Sequence, residues 1–263
     1  MLLHTSCSFR FQIPDPTPFV LMLRPRSGWQ QWIAKEEYKI TPRVPVNEFT
    51  DIYGNLCQRL VAPSGEFSIH TSAEVQIPDE IDREPGAYYV DVQFLPENVI
   101  GFLLPSRYCE SECFWQMTME ITEGLTPGYD QVAAIENWVR DNISYKPGSS
   151  DLHISAVQVN KKGSGVCRDL SHLAIAMCRS MSIPARLVVG YCHKLEPMDM
   201  HAWFEAYVGN RWYLFDPSQP YHKHNGYVAI GYGRDAADVA VFNQFGPPVY
   251  PDVNKVKVRL IKT

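Results

Sequence analysis

A chain of 263 residues with 45% hydrophobic content can build one large core or two modest ones. Charged residues make up 20%, the net charge is −5 and no basic stripe is present, which argues against nucleic acid and anionic membrane as partners. No apolar run reaches bilayer length, Met1 to Cys7 lack a basic stretch followed by an apolar one, and the seven cysteines lack the dense spacing of a small secreted scaffold. Thiols kept reduced in a cytoplasm are therefore expected.

From residue 1 to about 104 the chain is rich in proline, β-branched and aromatic residues. Phe19 to Leu23, Leu56 to Val61, Glu66 to Ile77 and Tyr88 to Phe94 read as strands. Turn signals at Asp15-Pro16, Tyr53-Gly54-Asn55, Pro63-Ser64-Gly65 and Pro85-Gly86 separate them. No convincing helical period appears, so a small β-sandwich is expected over 1–104, ending near Pro105-Ser106. The remainder, 105–263, reads as a second domain of α+β class. Glu110 to Glu120 is a candidate helix. Asp130 to Asn142 is a stronger one, with Val132, Ile135, Trp138 and Val139 on its apolar side and Asp130 as N-cap. Leu170, Leu173, Ala174, Met177, Cys178 and Met181 recur at helical spacing until Pro184 ends the run. Ala185 to Tyr191 reads as a buried strand, and Val256 to Ile261 alternates as a final strand.

Cys167 stands where the run Gly163-Ser164-Gly165-Val166 becomes that helix. Many free cysteines are simply small buried residues. A helix tip differs, because unpaired backbone N–H groups and the positive end of the macrodipole favour a thiolate. Gly163 and Gly165 allow a sharp turn and leave room for a substrate backbone. Counting back from Leu170 puts Cys167 at the edge of the apolar face.

His201 and an aspartate arrive together in one hairpin. Ala202, Phe204, Ala206 and Val208 form one face of a strand; His201, Trp203, Glu205 and Tyr207 form the other. Gly209-Asn210 suits a two-residue turn, and Arg211 to Asp216 returns until Pro217. With that turn, Val208 faces Arg211 and Trp203 faces Asp216, so Asp216 is the diagonal neighbour of His201. A carboxylate there can hold one imidazole nitrogen and leave the other for a thiol. A slip of one residue would turn Asp216 to the opposite face.

Cysteine, histidine and aspartate on a helix tip and two adjacent strands suit thiol-based acyl transfer. Gly165-Val166-Cys167-Arg168-Asp169-Leu170-Ser171-His172-Leu173-Ala174 resembles the nucleophile segment of the transglutaminase-like superfamily, and Ile183-Pro184-Ala185-Arg186 the segment after its helix. His201-Ala202-Trp203-Phe204-Glu205 resembles its histidine strand and Phe215-Asp216-Pro217-Ser218 its aspartate strand. Gly231 to Ala240 is similar to a tail of the bacterial branch, and Asp51-Ile52-Tyr53-Gly54-Asn55 to a segment of that branch's extra N-terminal β domain. The resemblance implies a papain-like core with a Cys167–His201–Asp216 triad. The expected protein is a cysteine peptidase or amidase acting on a peptide or small amide through a thioester. A transglutaminase or deamidase, and a binding module without catalysis, are the alternatives. Backbone N–H of Cys167 is the expected oxyanion donor, with Gln158 and Trp203 as candidates for a second.

Other constellations are weaker. Cys109 and Cys113 are spaced for two metal ligands, but no second pair completes a zinc site. Cys192 and His193 point to opposite faces of a strand, Cys178 falls in the core, and His172 sits on another side of the helix from Cys167. Ser164 lacks a nucleophile elbow, Asp169 reads as structural, and His222-Lys223-His224 reads as solvated loop. No glycine-rich phosphate loop follows a strand, so no nucleotide cofactor is expected, nor a metal.

Overall fold

The structure, a computed structural model, describes residues 1–28, 30–148, 154–220 and 225–261. Strands β1 (Leu2–Ile13), β2 (Thr17–Leu21), β3 (Trp32–Thr41), β4 (Asn47–Thr50), β5 (Leu56–Ala62) and β6 (Gly65–Gln76) build the first half. A short helix α1 (Glu97–Ile100), then α2 (Trp115–Ile121), α3 (Tyr129–Asn142), β7 (Ser144–Tyr145), α4 (Ala156–Lys162), β8 (Ser164–Gly165) and α5 (Cys167–Ser180) follow. Four strands come next: β9 (Ala185–Cys192), β10 (His201–Val208), β11 (Arg211–Phe215) and β12 (Tyr227–Gly233). β13 (Phe242–Gln244) and β14 (Val253–Leu260) end the chain.

The N-terminal half is a sandwich of two antiparallel sheets, ordered β14-β1-β6-β3 and β13-β2-β5-β4. Alternation drives it: Leu3, Thr5, Cys7, Phe9, Phe11 and Ile13 of β1 are buried, as are Phe67, Ile69, Thr71, Ala73 and Val75 of β6. Aromatic rings join the layers, with Phe11 against Phe19 at 5.5 Å and Phe242 edge-on to Phe9 and Phe11 at 5.5 and 5.4 Å. The last strand does not belong with the second domain, contrary to the expected 105–263 unit. β14 pairs with β1 from Leu3↔Leu260 to Arg10↔Val253, and β13 pairs with β2. An alternating pattern marks a strand but carries no information about its partner.

Three further expectations change. Tyr88 to Phe94 is not a strand: Tyr88 makes one isolated bridge to Gly128, and Val92–Phe94 is a 3-10 turn. The backbone there bonds to two loops instead, Tyr89 N–H to Pro127 O at 3.1 Å and Gly209 N–H to Tyr88 O at 2.8 Å. Glu110 to Glu120 divides into a 3-10 turn, Ser111–Cys113, and α2. Helix α3 starts one residue early, with Gly128 as its N-cap. Asp130 lies in the first turn, where its carboxylate accepts the Gly86 N–H at 3.0 Å.

In the second half, α5 packs against β9 and β10 of an antiparallel sheet ordered β11-β10-β9-β12, and against α2, α3 and α4. It is buried from Asp169 to Arg179 without interruption, which an apolar stripe alone does not foretell. Its polar side chains are matched. The Arg179 guanidinium donates to the carbonyls of Leu104, Ala185 and Arg234, and His172 Nε2 accepts the Ala236 N–H at 3.1 Å. The 231–240 tail thus wraps the central helix. β10 is buried on both faces; Glu205 pairs with Arg186 at 2.5 Å, and that guanidinium lies 4.1 Å from each of the Trp212 and Tyr232 rings.

The edge strand β12 is covered by side-chain amides from the sandwich. Gln31 accepts from Ala229 N–H and donates to Ala229 O, both at 2.8 Å. Asn55, fully buried, does the same to Tyr232 at 2.8 and 2.7 Å. Asp51 holds the Asn55 loop through the N–H groups of Tyr53 and Asn55. An exposed sheet edge invites foreign strands; here two amides occupy it.

Candidate active site

The Cys167 tip is assembled from both sides. Gly163, at φ +67°, ends α4 in the left-handed conformation. β8 then runs parallel to β7, with Ser144 N–H on Gly163 O and Lys146 N–H on Gly165 O, each at 2.9 Å. Asp169 accepts the Val166 N–H at 3.2 Å and lies against Arg168, so it caps the helix as a structural residue. A Cβ on Gly165 would stand 2.7 Å from Asp169 Cβ. The space that glycine leaves is filled by this aspartate rather than kept for a substrate. Cys167, half-buried, is the first residue of α5; its N–H is among those with no intrahelical acceptor.

The hairpin has the expected register. Gly209 and Asn210 take φ +55° and +64°, the conformation of a type I′ turn. Val208 pairs with Arg211 and Phe204 with Phe215, which carries Trp203 opposite Asp216. His201, 1% exposed, places Nε2 at 2.6 Å from Asp216 Oδ2. Nδ1 is buried with no hydrogen-bond partner among the described residues, and the Cys167 sulfur is near enough to the ring to act on its charge.

Electrostatics makes the imidazole a strong base. Burial alone would push its pKa down; the Asp216 carboxylate and then the Cys167 sulfur reverse this and raise it to about 10. Burial would likewise push Asp216 up, but His201, Ser218 and Tyr227 outweigh it and hold the carboxyl well below the usual carboxylate range. The carboxylate accepts four hydrogen bonds. Oδ1 takes the Ser218 N–H at 2.9 Å and the Ser218 hydroxyl at 2.7 Å; Oδ2 takes His201 and the Tyr227 hydroxyl at 2.7 Å. Helix α3 fixes the backbone: Glu136 accepts Asp216 N–H at 2.8 Å, Arg140 donates to Asp216 O at 3.0 Å, and the two form an ion pair at 2.7 Å.

Sequence reasoning missed Tyr227, Glu136 and Arg140. The Glu136–Arg140 spacing reads as an ordinary i,i+4 surface pair, and nothing local marks Tyr227. Ser218 was legible as the third residue of Asp-Pro-Ser, a turn in which a side chain binds nearby backbone.

Gln158, exposed at the start of α4, accepts the Ser155 N–H at 2.9 Å in a capping box. Trp203 lies beside the imidazole, ring centroids 6.1 Å apart, with its indole N–H buried and without an acceptor among the described residues. Cys109 is buried and Cys113 exposed, so they do not face a common site. Cys178 is core. His172 stacks on Tyr108 at 5.4 Å. His222-Lys223-His224 lies outside the described residues. Burial pushes the other enclosed thiols up, Cys57 to about 11, Cys7 and Cys109 to about 12, and Cys178 and Cys192 further.

A thiol at a helix tip, facing a buried imidazole–carboxylate pair on an antiparallel sheet, is the arrangement of the papain-like class. The transglutaminase-like superfamily model matches residues 116–217, and that of the bacterial transglutaminase-like N-terminal region matches 12–76. The structure is similar to that of a "putative cysteine protease" from Cytophaga hutchinsonii, at a TM-score of 0.90 and 34% identity over 100% of this chain and 91% of that one. An uncharacterized protein of Mycobacterium leprae is 27% identical over 231 residues, 83% of this chain and 82% of its own. The chain belongs to the transglutaminase-like superfamily.

Proposed function

We propose that this protein is a thiol-dependent acyl-transfer enzyme that hydrolyses an amide or peptide bond. The observation that carries the reading is the buried 2.6 Å contact between His201 Nε2 and Asp216, which leaves Nδ1 free for Cys167. His201 Nδ1 takes the thiol proton, and the Cys167 sulfur attacks the carbonyl carbon. The Cys167 N–H at the helix tip donates to the oxyanion. As the tetrahedral intermediate collapses, the imidazolium gives its proton to the leaving amine, and a thioester remains. His201 then deprotonates a water, which attacks the thioester, releases the acid and restores the thiol. Asp216 holds the imidazolium and its orientation throughout.

The similar Cytophaga protein, described as a putative cysteine protease, supports water over an amine as acceptor. All seven cysteines are free, which fits the proposed reducing, cytoplasmic setting; the proposed substrate is a peptide or small amide. Iodoacetamide labelling followed by peptide mass tests the nucleophile. Cys167 should react well before the other six, exposed Cys113 included; uniform labelling, or Cys113 first, would overturn the assignment. A peptide and amide library, read for product acid with and without added amine, then identifies the bond and the acceptor.

A further inference from the structure

The reading above uses one donor to Asp216, His201; the Ser218 turn holds the other carboxylate oxygen, and the Tyr227 hydroxyl is left unexplained. Tyr227, on the first residue of β12, donates its hydroxyl to Asp216 Oδ2 at 2.7 Å. That is the same oxygen that holds His201 Nε2 at 2.6 Å. The ring sits 5.0 Å edge-on to Trp203 and 6.1 Å from the imidazole, and is 8% exposed. Packing alone would be met by phenylalanine, yet the hydroxyl lies on the one carboxylate oxygen that governs the imidazole.

We infer that Tyr227 is a positioning residue, whose hydroxyl shares the charge of Asp216 Oδ2 and so sets how firmly the carboxylate holds the protonated His201. This rests on the proposed Cys167–His201–Asp216 reading. One oxygen carrying two donors binds each less strongly than it would bind either alone. Tyr227 therefore moderates the imidazolium and keeps its proton available to a leaving group. Burial keeps the phenol protonated, so it remains a donor at every working pH.

Among the described residues, the titratable groups around this centre are few. Cys167 lies near it from α5 and Cys192 from β9, the latter thiol donating to His193 O at 3.6 Å and held protonated by burial. Ser218 lies beyond β11, Glu136 and Arg140 pair behind the Asp216 backbone on α3, and the Tyr145 phenol stands near from β7. Burial raises Tyr145, leaving it neutral where His201 titrates.

The test needs no substrate. Iodoacetate is an anion, so its reaction with Cys167 is favoured while His201 is protonated, and the rate–pH profile has an alkaline limb at the loss of that proton. Tyr227→Phe removes the sharing donor. The alkaline limb should move up by roughly half to one pH unit, from the strength of one hydrogen bond to a charged group passed on in part. 3-Fluorotyrosine placed site-specifically at 227, a more acidic and stronger donor, should move it down. It also keeps the ring, and so covers the case in which Tyr227→Phe does not fold. An alkaline limb unmoved by either replacement, with wild type keeping its bell, would make Tyr227 a packing residue and overturn the inference alone. A wild-type profile without an alkaline limb would overturn the triad reading on which it rests.

Discussion

The hairpin that carries His201 and the sandwich that begins the chain are both antiparallel, but they are closed over different distances. Two residues, Gly209 and Asn210, join β10 to β11 and set the register that brings Asp216 to His201. The sandwich is closed by Leu3 pairing with Leu260, across nearly the whole chain. A short closure costs little chain entropy and is written in local turn chemistry. The long closure is written only in a face of Phe9, Phe11, Phe19 and Phe242 that finds itself after folding. The site half should therefore lose function through single atoms, and the sandwich half should lose stability through buried partners.

The largest expected effect is at the helix tip. Cys167→Ala should abolish turnover while its melt nearly coincides with wild type, since alanine suits the first helical position and the thiol is only half-buried. A drop of many degrees would place Cys167 with the stability residues and erase the contrast.

Asp216→Asn should lower turnover by ~10² to 10⁴-fold through the wrong imidazole tautomer. Unlike Cys167→Ala, it should also cost about 3 kcal/mol, because it breaks a buried charged pair. The pH dependence has a definite sign. The folded pKa of His201 is raised from 6.5 to about 10, so its contribution is full below 6.5 and fades as pH climbs toward 10. That of Asp216 is lowered, so its contribution is present above 3.8 and is lost as pH falls through the depressed value. Urea melts of wild type and variant should differ most between about pH 3.8 and 6.5, where both contributions are full, and converge as pH climbs toward 10 and as it falls far below 3.8.

Asn55→Ala probes the other half. It leaves the N–H and C=O of Tyr232 unpaired where the Asn55 loop covers β12, which should cost about 1–3 kcal/mol. Turnover per folded molecule should stay near wild type. A turnover loss comparable to that of Asp216→Asn would mean that the sandwich positions the site and does not merely cover a sheet edge.

The smallest effect is expected for Gln158→Ala, about 0.5–1 kcal/mol from the lost capping box, with turnover unchanged. A hundredfold fall in turnover would return Gln158 to the oxyanion.

Much of the site could be read in advance for physical reasons that are local. A helix tip after glycines, a two-residue turn and strand alternation each depend on neighbours in sequence, and together they set Cys167, His201 and Asp216. β1 and β3 escaped notice because their inward positions include threonine and cysteine, or because, like Lys35, Glu36, Glu37 and Lys39, they lie on an edge strand. Tyr88 to Phe94 had strand composition without a strand to pair with.

By itself, then, the sequence determined the nucleophile helix, the histidine hairpin and its register, and the class of chemistry they suit. Only the tertiary structure decided that β13 and β14 join the two sheets of the sandwich, that Gln31 and Asn55 cover β12, and that Tyr227, Glu136 and Arg140 surround Asp216. Those contacts join residues far apart in sequence. Their energy comes from burying polar groups against matching partners, and a partner is defined only once the chain has brought it near.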